Sequence, residues 1–225
     1  MRKRRRMQGA VLTARRGHKG VERRRQAILA AARAMLNREP LAMRRLADAA
    51  GVSPATPYNL FGTKRRLFVA LYEQQRAELI DRLAASDPPD AFARMFHAIH
   101  LFGAELAAEP AFFRALFATL YASDPDEPTP PGSDPGAAFW RAIVADLHKE
   151  GLIRATVSVD AFAANFVYLI GGATLDWVEG RIDVDRWETA VAYGLALSAL
   201  TVATDTARAD LQTRLAVLEA RIAIA

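Results

Sequence analysis

The stretch that decides the fold is Leu41 to Leu67, LAMRRLADAAGVSPATPYNLFGTKRRL. Met43, Leu46, Ala47 and Ala50 recur at helical spacing, which predicts a helix from about Ala42 to Ala50. Gly51 follows, the residue type that ends a helix in the left-handed conformation without steric cost. Val52 supplies an apolar plug for the turn. Ser53 stands where a hydroxyl caps the next helix by accepting from an unpaired backbone N–H, and Pro54 suits a first helical position, where no N–H is needed. The helix that follows has about two turns, too few to be stable alone, and is polar on one side. Two short helices joined by a tight turn, the second usable only against a groove, make the plan of a helix-turn-helix DNA reader.

At Arg44, Leu46, Ala47, Ala50, Gly51, Val52, Ser53, Thr56, Tyr58, Phe61, Lys64 and Leu67 the sequence resembles the TetR family of bacterial transcriptional regulators. The resemblance implies an all-α homodimer: an N-terminal three-helix helix-turn-helix head, joined by a long helix to a C-terminal helical bundle for ligand binding and dimerisation. It covers the first third of the chain closely, and the remainder only in length and helical character. Two positions depart from the family pattern. Ala42 stands where a capping Thr is usual. Pro57 stands where a large apolar residue is usual; its ring removes an N–H and biases Thr56 away from helical geometry, which predicts an irregular start to the recognition helix. On this reading Tyr58 and Lys64 grip phosphates, Ser53, Ala55, Thr56 and Asn59 face base edges or nearby backbone, and Arg44 and Arg45 reach phosphate or guanine.

Charge supports a nucleic-acid partner. Up to Arg76 there are 19 Lys and Arg against 4 acids; from Ala77 onward 11 basic residues face 21 acids. A basic head on an acidic body suits a polyanion at one end and repels it from the other, whereas a merely solvated surface mixes signs. Cysteine is absent, which excludes disulfides, thiolate metal sites and cysteine nucleophiles and suits a reducing, cytoplasmic compartment. Hydrophobic residues make up 52%, ample for a globular core.

The chain divides by composition into a basic arm (1–20), the head (21–67) and the body (68–225). The arm carries Arg2 to Arg6, Arg15, Arg16 and Lys19 with no acid, and lacks the apolar run of a secretory signal. It is expected to be disordered alone and to meet phosphate or the minor groove; a solvated tail, or a start at Met7, is the alternative. A helix from about Val21 to Asn37 offers Ile28, Leu29, Ala32, Met35 and Leu36 to the motif helices. Arg23, Arg24 and Arg25 would then sit at its start, unfavourable against the helix dipole unless phosphate is near. Thr63 can cap a long helix from about Lys64 to Ala84, connecting head to body; Asp87, Pro88 and Pro89 end it.

The body shows helical periodicity and no strand signal. Helices are expected at about 90–108 and 110–121, and a further one holding Phe139 to Leu147 and ending near Gly151, with the acidic, proline-rich DPDEPTPPGSDPG (124–136) as a non-helical loop. Phe96, Phe112, Phe113, Phe117, Phe139 and Trp140 concentrate aromatics in three successive helices. Taken residue by residue this is an aromatic core; the resemblance adds the wall of an apolar ligand pocket, expected to hold Phe96, His100, Phe113, Phe117, Phe139, Trp140, Asn165 and Tyr168. His97 and His100 have a ligand-like spacing, but no Cys or third ligand accompanies them, so no metal is expected. Two segments, Ala161–Leu175 and Ala190–Ala203, are apolar nearly all round and shorter than the ~20 residues of a bilayer span. Such helices must be covered on every side. They are either interior helices of a monomer or, as the resemblance implies, a four-helix dimer interface using Gly171, Leu175, Val191, Gly194, Leu195 and Ser198, with Trp177 and Trp187 at its border. A last helix, about 206–222, is expected on the outside.

Together these readings predict a cytoplasmic, sequence-specific DNA-binding regulator acting as a homodimer on a double-stranded operator, most simply a repressor released by a small apolar or aromatic effector. A DNA-binding adaptor whose body holds a protein is the alternative. No nucleophile–base pair, phosphate loop or metal constellation points to an enzyme, and neither a cofactor nor a membrane partner is expected.

Overall fold

The computed structural model describes the backbone of residues 2–122 and 136–224, with side chains from Lys19 to Ala122 and from Gly136 to Ala223. Most of the 124–136 segment, and the side chains of most of the basic arm, lie outside the described residues. Among these, ten helices and no strand are found: α1 (Arg2–Leu36), α2 (Met43–Ala49), α3 (Ala55–Phe61), α4 (Lys64–Ala85), α5 (Ala91–Ala108), α6 (Pro110–Tyr121), α7 (Ala137–Lys149), α8 (Val159–Val178), α9 (Val184–Val202) and α10 (Asp205–Ile224). Two compact units divide at Leu71, inside α4, a few residues beyond the Leu67 boundary read from sequence.

The first unit packs α1 against α2 and α3. Ile28, Leu29, Ala32 and Leu36 bury against a core completed by Leu46, Ala47, Phe61, Leu67 and Leu71. The turn after α2 forms for the reason the sequence gives. Gly51 takes φ 65°, its N–H donates to the Asp48 carbonyl, and the Val52 N–H donates to Ala47 at 3.0 Å, so both orphan carbonyls are satisfied. Ala42 opens α2 in an extended conformation with no side-chain cap, as its departure from the family pattern predicts. Three local expectations change. Arg23 to Arg25 lie within α1 and not at its start, so the dipole mismatch does not arise. Ser53 does not cap α3: its hydroxyl meets the Thr56 hydroxyl at 2.8 Å, and Pro54 holds the cap position. Pro57 falls in the first turn of α3, where its missing N–H has no intrahelical partner to lose, so the helix forms around it with the ring buried.

In the second unit α5 packs on α6, α7 and α9, α8 lies between α7 and α9 and also touches α6, and α10 covers α9. Asp90, Ser158 and Asp183 cap α5, α8 and α9 by accepting backbone N–H bonds from Ala93, Ala161 and Arg186. Trp177 and Trp187 are in the core, not at a border: both are essentially fully buried. Trp187 donates its indole N–H to Thr174, and the Arg114 guanidinium lies over the Trp177 ring. α8 spans 20 residues, longer than its apolar stretch suggested, and is long and apolar enough to cross a membrane by those criteria alone. Only 39% of its most apolar window is buried.

Candidate functional site

The head presents α3 outward. On this two-turn helix Pro57 and Phe61 face the core, while Ala55, Tyr58 and Asn59, at i, i+3 and i+4, face solvent together. Tyr58 is 52% exposed, an unusual place for an aromatic ring with no surface to cover. Ser53 is exposed at the entry to the helix and Thr56 is half-buried beside it. Lys64 is exposed at the first position of α4, whose start is capped by Thr63 accepting from the Arg66 N–H at 3.1 Å. Arg44 and Arg45 are exposed on α2; Arg45 is engaged by the Glu39 carboxylate. No acid occurs between Asp48 and Glu73, so the whole turn and α3 sit in an undiluted positive field.

In the second unit a cavity opens between α4, α5, α6, α7 and α8. Its walls are Tyr72, Gln75 and Leu79 from α4, Phe102 from α5, Phe117 and Tyr121 from α6, Phe139 and Trp140 from α7, and Val167, Ile170 and Thr174 from α8. Arg76 and Glu105 add charge to the lining, and Arg82 binds the Glu105 carboxylate. The space is tight, about 50 Å³ for the centre of a water-sized sphere, enough for a few waters or a slim group. Of the eight pocket residues expected from sequence, Phe117, Phe139 and Trp140 line this cavity. Phe113 is buried in the core, stacked on Phe117. Phe96 packs instead against Ala192, Ala196 and Leu218, under the Arg214 guanidinium. His100 lies outside, its Nδ1 3.1 Å from a Glu188 carboxylate oxygen. Asn165 and Tyr168 are exposed on α8; Tyr168 at 79% is the most exposed large apolar side chain described.

The six residues expected at a dimer face separate in the same way. Val191 and Leu195 are fully buried within the protomer, in a helix that packs on α5, α8 and α10. Gly194 is covered by Leu169 of α8: a Cβ there would lie 2.6 Å from a Leu169 methyl. Gly171, Leu175 and Ser198 are at or near the surface. The uncovered stripe runs through Asn165, Tyr168, Gly172 and Leu175 on α8 and Leu197 and Thr201 on α9. Nearby, Arg141 of α7 is paired with Asp160, whose hydrogen bond and then charge raise the arginine pKa above its ordinary value.

Residues 28–71 match the family model of bacterial regulatory proteins, TetR family. Over these residues the head is similar to the regulators of that family. Solved structures of TetR regulators share the fold. One from Rhodococcus sp. RHA1 is 21% identical, with a TM-score of 0.62 over 79% of this chain and 96% of that one. Another, from Pectobacterium atrosepticum, is 22% identical with the same TM-score over 83% and 97%. The TetR-family repressor FadR of Thermus thermophilus, solved with lauroyl-CoA, is 19% identical, with a TM-score of 0.56 over 77% and 92%. No curated protein sequence matches the chain.

The helices of the head were read from sequence; the cavity was not. Its α4 wall went unnoticed, although a signal existed. Leu71, Leu79 and Leu83 continue an apolar stripe in which Gln75, at i+4 and i−4, is the single polar interruption, and Gln75 is buried.

Proposed function

We propose that this protein is a regulator of the TetR type, acting as a dimeric repressor that is released from a pseudo-palindromic operator by a small apolar or aromatic molecule. The observation that carries the ligand response is the continuity of α4. It begins at exposed Lys64, beside the reading face of α3, and continues to Tyr72, Gln75 and Leu79 in the cavity wall. An occupant that binds one position of α4 better than another shifts the population of head positions, which is all that release requires. Tyr58 and Lys64 take the phosphate role and Ser53, Ala55, Thr56 and Asn59 the base-proximal one, with Arg44 in support; Arg45, held by Glu39, contributes less. A second copy of the chain covers Tyr168, Leu175 and Leu197, the apolar side chains that α8 and α9 leave exposed. Action on operator DNA places the protein in the cytoplasm, and the reading assigns it no catalytic step.

Selection of bound sequences from a random DNA pool tests the whole reading. A two-fold symmetric consensus is expected; binding that tracks salt alone, with no consensus, would reduce the head to a non-specific grip. Lys64→Glu should weaken binding to every sequence alike and lower the slope of affinity against salt by roughly one charge. A loss confined to one operator sequence would remove Lys64 from the phosphate role. The adaptor reading draws on the same exposed stripe, which would then hold a different protein. A chain that stays monomeric at micromolar concentration would favour it.

A further inference from the structure

Among the described residues, one buried side-chain atom of the cavity wall has no hydrogen-bond partner. Gln75 is only 4% exposed, and its Oε1 has no hydrogen-bond partner among the described residues. The orientation of its amide is set by chemistry. Its Nε2 donates to a Glu78 carboxylate oxygen at 3.3 Å, and a carboxylate only accepts, so the amide nitrogen must face Glu78 and the carbonyl oxygen must face away. Gln74 donates to the other oxygen of Glu78 at 3.1 Å, holding that carboxylate in place. Buried acceptors are rarely left unpaired, because burial without a hydrogen bond forfeits the bond to water.

The rest of the buried polar lining does not supply the missing donor. The single hydroxyl proton of Thr174 goes to the Ile170 carbonyl at 2.7 Å, and its oxygen accepts from the Trp187 indole at 3.2 Å. Around Gln75 stand the rings of Tyr72, Phe102, Phe117, Tyr121, Phe139 and Trp140. Such walls favour a flat ring in edge or offset contact. A cavity of about 50 Å³ takes a ring of modest size with slight opening of the helices, not an extended thioester.

We propose that the effector is a small, neutral aromatic molecule carrying one O–H or N–H donor, and that this donor binds Oε1 of Gln75. This deepens the ligand-response reading above and rests on it. An anionic group at that end is disfavoured, since it would face the carbonyl oxygen with an acceptor. The hydrogen bond also ties the occupant to α4, the helix that begins at Lys64.

The test compares indole with indene, which has nearly the same shape but no N–H, by calorimetric titration into the full-length protein. The wild type should bind indole about tenfold more tightly than indene, the scale of one net hydrogen bond. In Gln75→Met, which keeps volume and removes the acceptor, the two affinities should converge. Equal binding of the two probes to the wild type would overturn the donor assignment while leaving the pocket intact. A preference for indole that survives in Gln75→Met would overturn the role of Gln75. Binding of neither probe up to its solubility would overturn the ligand class; if Val167→Trp, which fills the cavity, then also left ligand-free DNA binding unchanged in a protein that no apolar molecule releases from DNA, the ligand-pocket reading would fall with it.

Discussion

The head and the body bury their polar groups differently. In the head, several polar side chains meet a near neighbour in sequence, Ser53 with Thr56, Arg45 with Glu39 and Thr63 with the Arg66 N–H, and Arg25 reaches farther only to lie over the ring of Phe61. In the body, pairings reach across the fold: Trp187 with Thr174, Arg94 with Asp146, and the Ala91 N–H with Glu150. There the fold also leaves a buried acceptor, Gln75, unpaired beside an aromatic cavity. A surface that reads DNA needs exposed groups placed by a short rigid turn. A site that senses a small molecule needs a dry, incompletely satisfied interior, and only several helices together can make one.

The largest effect should come from the body's core. Trp187 is fully buried, meets Phe102 edge-on with centroids 5.3 Å apart, and donates to Thr174. Trp187→Ala should cost about 3–5 kcal/mol, the range for deleting a large buried aromatic. All three tryptophans lie in the body, so the fluorescence of Trp140 and Trp177 reports that unit alone. Its denaturation midpoint should fall while far-ultraviolet circular dichroism keeps a separate helical transition from the head. Coincident transitions in wild type and variant would show that the two units unfold as one and would dissolve the contrast.

Gly194 sharpens the same contrast at an intermediate scale. Leu169 fills the space its Cβ would need, so Gly194→Ala forces that side chain to move. Leu169 is only half-buried and has somewhere to go, which puts the cost near 1 kcal/mol, the low end for overpacking. An unfolding free energy lowered equally at all protein concentrations is expected from packing within the protomer. A change seen chiefly as weaker self-association would return Gly194 to the subunit face.

What was legible follows from range along the chain. The head was read because its determinants are adjacent: Gly51 ends one helix, Thr63 starts another, and Pro57 matters only relative to the first turn of α3. Every helix of the body was located from periodicity and punctuation, yet several residues were given the wrong face. Val191 and Leu195 look like an apolar surface until the neighbours of α9 are laid against it, and Phe96 looks like a pocket wall until α10 takes it. The cavity draws on five helices, and no window of sequence contains its geometry. The lone polar position in the α4 stripe was the trace available, and it marks the atom with no partner.

The smallest effect should have the opposite sign and stay in the head. Ala42 holds the cap position of α2 with φ −117° and ψ 119°, extended backbone that a β-branched residue adopts readily, and no side chain accepts from the first turn. Ala42→Thr places a hydroxyl where an unpaired N–H waits, and should stabilise the head by about 0.5–1 kcal/mol. The gain should appear in the dichroism transition and leave tryptophan fluorescence unmoved. Because α2 only packs against α3 and the substitution leaves the exposed face of α3 untouched, a firmer α2 should not change which DNA the head prefers. If Thr gave nothing, the first-turn donors of α2 would already be adequately hydrated, and capping would drop out of the account of how this head is held together.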